Sequence, residues 1–208
     1  MVELQKELQE LGHESLAVPL DVTNTDEIYK AMSKINQHFS GIDILINNAG
    51  INITKKAENL TEEDWDTVLD LNLKASFFCT QAAKEYLIKS PSPKVINMSS
   101  TMGKVGYYER SAYSSSKGGV NQLTKALAIE WAKDGINVNA IGPTFVETEL
   151  AKQTLDREDF RKDILERIPL GKLAKTEDLF GLVLYLSTPA SNMVTGQTIY
   201  VDGGWTVW

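Results

Sequence analysis

The chain has 208 residues, 42% hydrophobic and 24% charged, a composition that fits a single folded domain over 1–208 with a sizeable core and argues against disorder. Its net charge of −7 disfavours a nucleic-acid phosphate backbone as partner. The single cysteine, Cys79, excludes a disulfide framework, and the two histidines, His13 and His38, lie too far apart to suggest a zinc site, so no metal is expected.

Leu4, Leu8 and Leu11 recur at helical spacing, and Gly12 closes that helix. Residues 15–22, SLAVPLDV, read as a short strand. Asn24 starts a second helix, with Glu27 three positions on as in a capping box, and Ile28, Met32, Ile35 and Phe39 form its apolar stripe. Residues 43–46, DILI, read as a buried strand running into Asn47, Asn48, Ala49 and Gly50. Thr61 caps a long helix that ends at Ser90 and Pro91. Asn72 sits inside it, and asparagine is a poor interior helix former, so a kink is expected there. Residues 94–98 form the next strand, and Ser100 follows it. The helix bearing Tyr113 runs to about Lys133, and Gly135 turns into the strand INVNAI before Pro143. In the charged helical stretch 147–167, Lys152, Arg157, Arg161, Lys162 and Arg167 alternate with acids and are expected to form a solvated face. Thr176 starts a helix that ends near Pro189; its apolar run at 179–186 is far shorter than a membrane span. The last strand is QTIYVD, before a turn at Gly203 and Gly204. The charged first fifteen residues do not read as a signal peptide, and a cytoplasmic location is expected.

Strands alternating with helices imply a mostly parallel α/β sheet covered on both faces, with ligands beyond the carboxyl ends of the strands. Asn47–Gly50, Ser100 and Pro143 all fall at such ends. Tyr113 and Lys117 are four residues apart and share one face of their helix. A phenol beside an ammonium is a proton-transfer site, because a nearby positive charge favours the phenolate. Bringing a phenol from about 10 to neutrality takes roughly 4 kcal/mol, within reach of a close, partly dry lysine assisted by a second cation. Taken alone, the same spacing also fits an exposed lysine covering a half-buried tyrosine.

Several separated pieces, in order, resemble the short-chain dehydrogenase/reductase family. They are Asp21-Val22, NNAG at 47–50, Asn72 within LNL, Ser100 with Tyr113 thirteen positions on and Lys117 four further, residues 137–148, and residues 195–204. The resemblance covers essentially the whole chain. It implies a three-layer Rossmann-like doubly wound parallel sheet and an NAD- or NADP-dependent oxidoreductase. Hydride would pass between the nicotinamide and a carbonyl or secondary alcohol of a small-molecule substrate. Tyr113 would be the general acid/base, Lys117 would lower its pKa and hold the nicotinamide ribose, Ser100 would position the reacting oxygen, and Asn72 would hold a water in a proton relay. Asp21 and Val22 would contact adenine; Asn47 and Asn48, with Ala49 and Gly50, would brace the strand end beside the cofactor; Pro143, Val146 and Thr148 would face the nicotinamide. The stretch 51–65 and the C-terminal half look closest to gluconate-type sugar-acid dehydrogenases and 3-oxoacyl reductases. Glu109 and Arg110 are read as surface residues able to meet a polar substrate, and 147–168 as a mobile lid. Family members are usually homo-oligomers, dimers or tetramers, and the apolar faces of 65–88 and 120–131 with Trp205 and Trp208 fit such an assembly. No nucleic-acid or membrane partner is implied.

The chain departs from the family pattern in two places. Thr144 stands where the family has glycine after the proline, which would narrow the pocket near the nicotinamide carboxamide. No glycine-rich turn precedes Gly50, the only earlier glycines being Gly12 and Gly41. The resemblance therefore implies a chain missing the first two strands of the fold and the residue that selects NAD or NADP, either truncated or with Met1 an internal methionine. In the family sheet order, 3-2-1-4-5-6-7, those strands lie between SLAVPLDV and DILI, so SLAVPLDV is expected to pair directly with DILINN. A non-catalytic remnant that folds or oligomerises without binding dinucleotide is the alternative reading. A nucleotide-sugar epimerase relative shares the tyrosine and lysine but fits the C-terminal residues 195–204 poorly.

Overall fold

The computed structural model describes residues 2–148, 151 and 154–207. The expectations for Lys152 and Trp208 lie outside the described residues. Helix α1 spans Val2–Glu10 and α2 Thr25–Phe39; strand β1 is Ile44–Asn47. Helices α3, Glu62–Leu69, and α4, Ala75–Leu87, precede β2, Lys94–Met98. Helix α5, Ser111–Glu130, leads to β3, Asn137–Pro143. Helices α6, Glu158–Arg167, and α7, Glu177–Ser187, come before β4, Thr198–Val201.

Local chemistry sets these boundaries. Asn24 caps α2 by accepting from the backbone N–H groups of Asp26 and Glu27. The Glu27 carboxylate accepts from Asp21 N and Asn24 Nδ2, so the reciprocal bond of a capping box is not made. Thr61 and Asp64 do form that box at the start of α3. Gly135, at φ 73, supplies the left-handed turn before β3. The long helix of 61–90 is interrupted where Asn72 sits: Asp70–Lys74 is one turn of π-helix between α3 and α4. Such turns interrupt the regular ladder and re-aim side chains.

The sheet has four parallel strands in the order β1-β2-β3-β4. Alternate residues feed opposite faces. Val95 and Val138 join a cluster with Ile28, Met32, Ala83, Leu87 and Leu127, which places α2, α4 and α5 on one face. Ile96 and Ile141 meet Leu186 and its neighbours in α7 on the other. A third cluster, Met102, Ile164, Ile168, Leu173 and Trp205, lies beyond the carboxyl ends of the strands. No helix among the described residues is long and apolar enough to cross a membrane.

The structure corrects three expectations: the strand at 15–22, the burial of the strand at 43–46, which is exposed at Ile44 and Ile46 for want of a neighbour among the described residues, and the surface place of Trp205. Residues 15–22 form no strand and do not pair with β1. Pro19 removes a ladder donor there, and the Gln5 side chain takes over local bonding: its amide donates to Ser15 O at 3.0 Å and its oxygen accepts from Ala17 N at 3.3 Å. Leu20 and Val22 pack on the first cluster instead. Among the described residues the outer edge of β1 therefore has no partner strand, and Ile44 and Ile46 are 40% and 42% exposed. Trp205 is not on an assembly surface either; it is buried in the third cluster, against Tyr107 and Phe145.

Candidate active site

Because all four strands are parallel, the segments after Asn47, Met98 and Pro143 emerge on the same side of the sheet. Asn47 is buried at the end of β1. Its amide donates to Asn97 Oδ1 and Thr80 Oγ1, both at 2.8 Å, and Asn97 donates in turn to Thr124 Oγ1 at 3.0 Å. This polar network ties β1 and β2 to α4 and α5 just below the strand ends.

After β2, Ser100 caps a short 3-10 turn, Thr101–Gly103, its Oγ accepting from Met102 N at 3.1 Å. That turn lies hard against α5: a Cβ on Gly103 would stand 2.7 Å from Lys117 O. Asn121 holds it there, donating to Gly103 O at 3.0 Å and accepting from Ser99 Oγ at 2.6 Å. Tyr113 and Lys117 occupy the first two turns of α5. Lys117 is 4% exposed, and its Nζ donates to Met98 O at 2.7 Å and stands 5.7 Å from the Tyr113 ring centre.

Asn72 uses the π-turn to reach across to the strand-end loop. Its Oδ1 accepts from Ile51 N at 2.8 Å, and its Nδ2 faces Ile51 O at 2.9 Å and Ser116 Oγ at 3.0 Å. Gly50 sits between these groups: a Cβ there would be 3.2 Å from Asn72 Oδ1 and 3.6 Å from Lys117 Nζ.

These segments enclose a cavity of about 340 Å³. Ser100, Tyr113 and Lys117 line it, as do Asn48 and Gly50 from one side and Pro143, Val146 and Thr148 from the other. Five of the sequence-derived positions do not line it, and one of them is Asn72, whose amide is spent on Ile51 and Ser116. Asp21 lies in an exposed turn, its carboxylate accepting from Thr23 N and Thr23 Oγ1. Val22 packs on the first core cluster, Asn47 is in the buried network, and Ala49 is exposed. Three residues that line the cavity each carry a buried polar atom without a hydrogen-bond partner among the described residues: Asn52 Oδ1, Thr101 Oγ1 and Thr144 Oγ1. Such orphaned groups suit a polar occupant. With the Lys117 ammonium and the room that Gly50 leaves beside it, the donor set fits the ribose and carboxamide end of a nicotinamide nucleotide.

Burial is the dominant influence on both central groups. It lowers the Lys117 ammonium to about 8. It also raises the Tyr113 phenol above its ordinary value, with Ser100 and the charge of Arg110 pulling the other way. The expectation that Lys117 brings the phenol down is reversed, because desolvation outweighs the attraction and the cation that acts on Tyr113 is Arg110.

Arg110 is not a surface residue. It is 3% exposed and lines the cavity, donating to Thr54 Oγ1 at 2.7 Å, to Glu109 O at 3.2 Å and to Thr154 Oγ1. One signal could have found it: three positions before Tyr113, it lies on the same side of the helix start. The charged stretch after it is also less solvated than its pattern suggests. Arg157 pairs with Glu109 at 2.8 Å and covers the Phe160 ring, while Asp163 bridges Arg167 and Tyr107, both at 2.8 Å. Helix α6 is thereby fastened to the loop 107–110. Among the described residues no group of three or more His, Cys, Asp or Glu side chains gathers to hold a metal.

A family model described as enoyl-(acyl carrier protein) reductase matches residues 2–206. The 2-dehydro-3-deoxy-D-gluconate 5-dehydrogenase of Escherichia coli is 39% identical over 196 residues, 94% of this chain and 78% of that protein. The 3-oxoacyl-(acyl-carrier-protein) reductase of Thermotoga maritima is 40% identical over 185 residues, 89% of this chain and 74% of that one. The crystal structure of a gluconate 5-dehydrogenase from Burkholderia cenocepacia in complex with NADP and tartrate superposes with a TM-score of 0.95 at 30% identity. It covers 99% of this chain and 81% of its own.

Proposed function

The chain belongs to the short-chain dehydrogenase/reductase family of oxidoreductases, and from that premise we propose that it oxidises a secondary alcohol, or reduces the matching carbonyl, with NAD or NADP and Tyr113 as acid/base. The observation that carries this reading is the convergence of Ser100, Tyr113 and Lys117 on one cavity at the carboxyl ends of the parallel strands. The relatives named for 2-dehydro-3-deoxy-D-gluconate and gluconate, one of them solved with NADP and tartrate, favour a sugar acid as substrate. The same reading takes the chain to work in the cytoplasm as a homo-oligomer, dimer or tetramer.

A bound nicotinamide supplies the hydride acceptor or donor; the chain's own residues do the rest. Lys117, with Asn48, Gly50, Pro143, Val146 and Thr148, would hold its nicotinamide side, and Asn47 and Ala49 would keep the strand end in shape. Asp21 and Val22 are assigned to the adenine side. The Tyr113 phenol would exchange one proton with the oxygen of the reacting carbon–oxygen group. Ser100 donates a hydrogen bond to that same oxygen and fixes its place. Arg110 supplies the positive charge that stabilises a transient phenolate. Asn72 keeps Ile51 and the turn beside Lys117 rigid and is assigned the water of the proton relay.

The test is a turnover assay with NAD and NADP against a panel of polyhydroxy acids and 3-oxoacyl thioesters, run with wild type and Tyr113→Phe. Turnover in the wild type that vanishes in the variant supports the assignment; equal rates in both would remove Tyr113 from the mechanism.

A second reading, a chain that folds and assembles but holds no dinucleotide, is favoured by one observation. The outer edge of β1 is unpaired among the described residues and exposes Ile44 and Ile46.

A further inference from the structure

We propose that Arg110 is the anion anchor of this cavity and selects substrates whose reacting alcohol or carbonyl is carried on a chain bearing a carboxylate. The inference rests on the oxidoreductase reading and adds to it a substrate class and the residue that recognises it.

A guanidinium with 3% exposure is costly to bury unless its charge is compensated. All three of its partners are neutral: the hydroxyls of Thr54 and Thr154 and the carbonyl of Glu109. The nearest carboxylate in sequence, that of Glu109, makes no ion pair with it and is engaged by another cation. Glu109 adopts a left-handed backbone, φ 57, and pairs its side chain with Arg157 at 2.8 Å. Among the described residues, no carboxylate forms an ion pair with Arg110. Of its five donors, three are used by these neutral partners, and Nε–H and one Nη2–H have no acceptor among the described residues.

The two threonines do not neutralise the charge; they fix its direction. Thr54 belongs to the loop after β1 and Thr154, which lines the cavity, to the segment before α6, so the guanidinium is held from two sides at the cavity that Tyr113 also lines. A clamped planar fork with free donors matches a carboxylate better than it matches a hydroxyl or a neutral amide. In this cavity the carboxylate supplies the missing counter-charge while the reacting oxygen stays with Tyr113 and Ser100. A ligand that lacks the carboxylate leaves the buried cation uncompensated, and that is the source of discrimination.

The experiment compares kcat/KM for straight-chain polyhydroxy acids, gluconate among them, with that for their neutral amides, in wild type, Arg110→Met and Arg110→Lys. The wild type is expected to prefer the acid by about 100-fold, the scale of charge-assisted hydrogen bonds. That preference is expected to collapse in Arg110→Met and to be partly kept in Arg110→Lys, which retains the charge but not the fork. Equal use of acid and amide by the wild type, or an undiminished preference in Arg110→Met, would overturn the inference and leave the oxidoreductase reading intact. If Arg110→Met does not fold, the wild-type preference and the Arg110→Lys value decide alone. If the wild type turns over neither class, the oxidoreductase reading fails. Calorimetric titration with gluconate then decides the anchor: saturable binding weakened in Arg110→Lys supports it, and no binding to wild type overturns it.

Discussion

Replacing Lys117 with methionine removes a buried ammonium while keeping an unbranched side chain in its place. In the wild type this group titrates at about 8 against an ordinary 10.5, a difference worth roughly 3 kcal/mol. The folded chain releases the proton near the lower value and the unfolded chain near the higher one. Between them the unfolded state binds more protons, so the stability of the wild type rises with pH across that window; well below it both states are protonated and the penalty is constant. From about pH 7 to about pH 9.5 the gain amounts to roughly 2 kcal/mol. Lys94, lowered by burial, and Cys79, raised to about 11, are present in both chains and cancel in the comparison. Losing the Lys117 bond to Met98 O shifts the variant by a constant of about 1–3 kcal/mol and leaves the slope untouched. Urea unfolding of both chains at the two pH values reads the effect directly. The wild type should gain about 2 kcal/mol relative to Lys117→Met as pH rises. Parallel pH responses would show that Lys117 is solvated and would refute the burial argument.

Tyr113→Phe should lower turnover by about 100-fold to 10,000-fold, the range of general acid–base contributions, with the melting temperature little changed; retention of most of the activity would contradict the assigned role. Gly103→Ala should destabilise by about 1–3 kcal/mol, because its Cβ meets the backbone of Lys117 and the side chain of Asn121. The same substitution should reduce kcat by displacing Ser100, so unfolding and initial rates should both change. Asn72→Ala strands both backbone groups of Ile51 and should cost about 2–5 kcal/mol in denaturant unfolding; unchanged stability would mean that the π-turn does not depend on this side chain.

What could be read from the sequence was carried by single elements. Tyr113 and Lys117 share a face because they lie four apart on one helix, and Ser100 and Pro143 sit at strand ends because the strands beneath them are short, apolar runs. Asn72 betrayed its kink through its own propensity. The features that escaped depend on contacts distant in sequence. Arg110 is buried by Thr54 and Thr154, 56 and 44 positions away; its place three residues before Tyr113 hints at the side it faces but not at its burial. Residues 15–22 have the apolar content of a strand, but a strand exists only with a partner ladder, and Pro19 and Gln5 settle the segment otherwise. Trp205 reads as a surface aromatic beside glycines until Ile168, Tyr107 and Phe145 close over it. The direction of the Tyr113 shift depended on the balance between burial and charge, and spacing reports the charge but not the dryness.

The central claim, that this cavity holds a nicotinamide nucleotide for Tyr113 to work beside, is tested most directly by calorimetric titration of the folded chain with NAD(H) and NADP(H). The account predicts saturable binding of at least one of them, weakened in Lys117→Met. No saturable heat with any of them, in a chain shown to be folded, would contradict it and favour the chain that assembles without a dinucleotide.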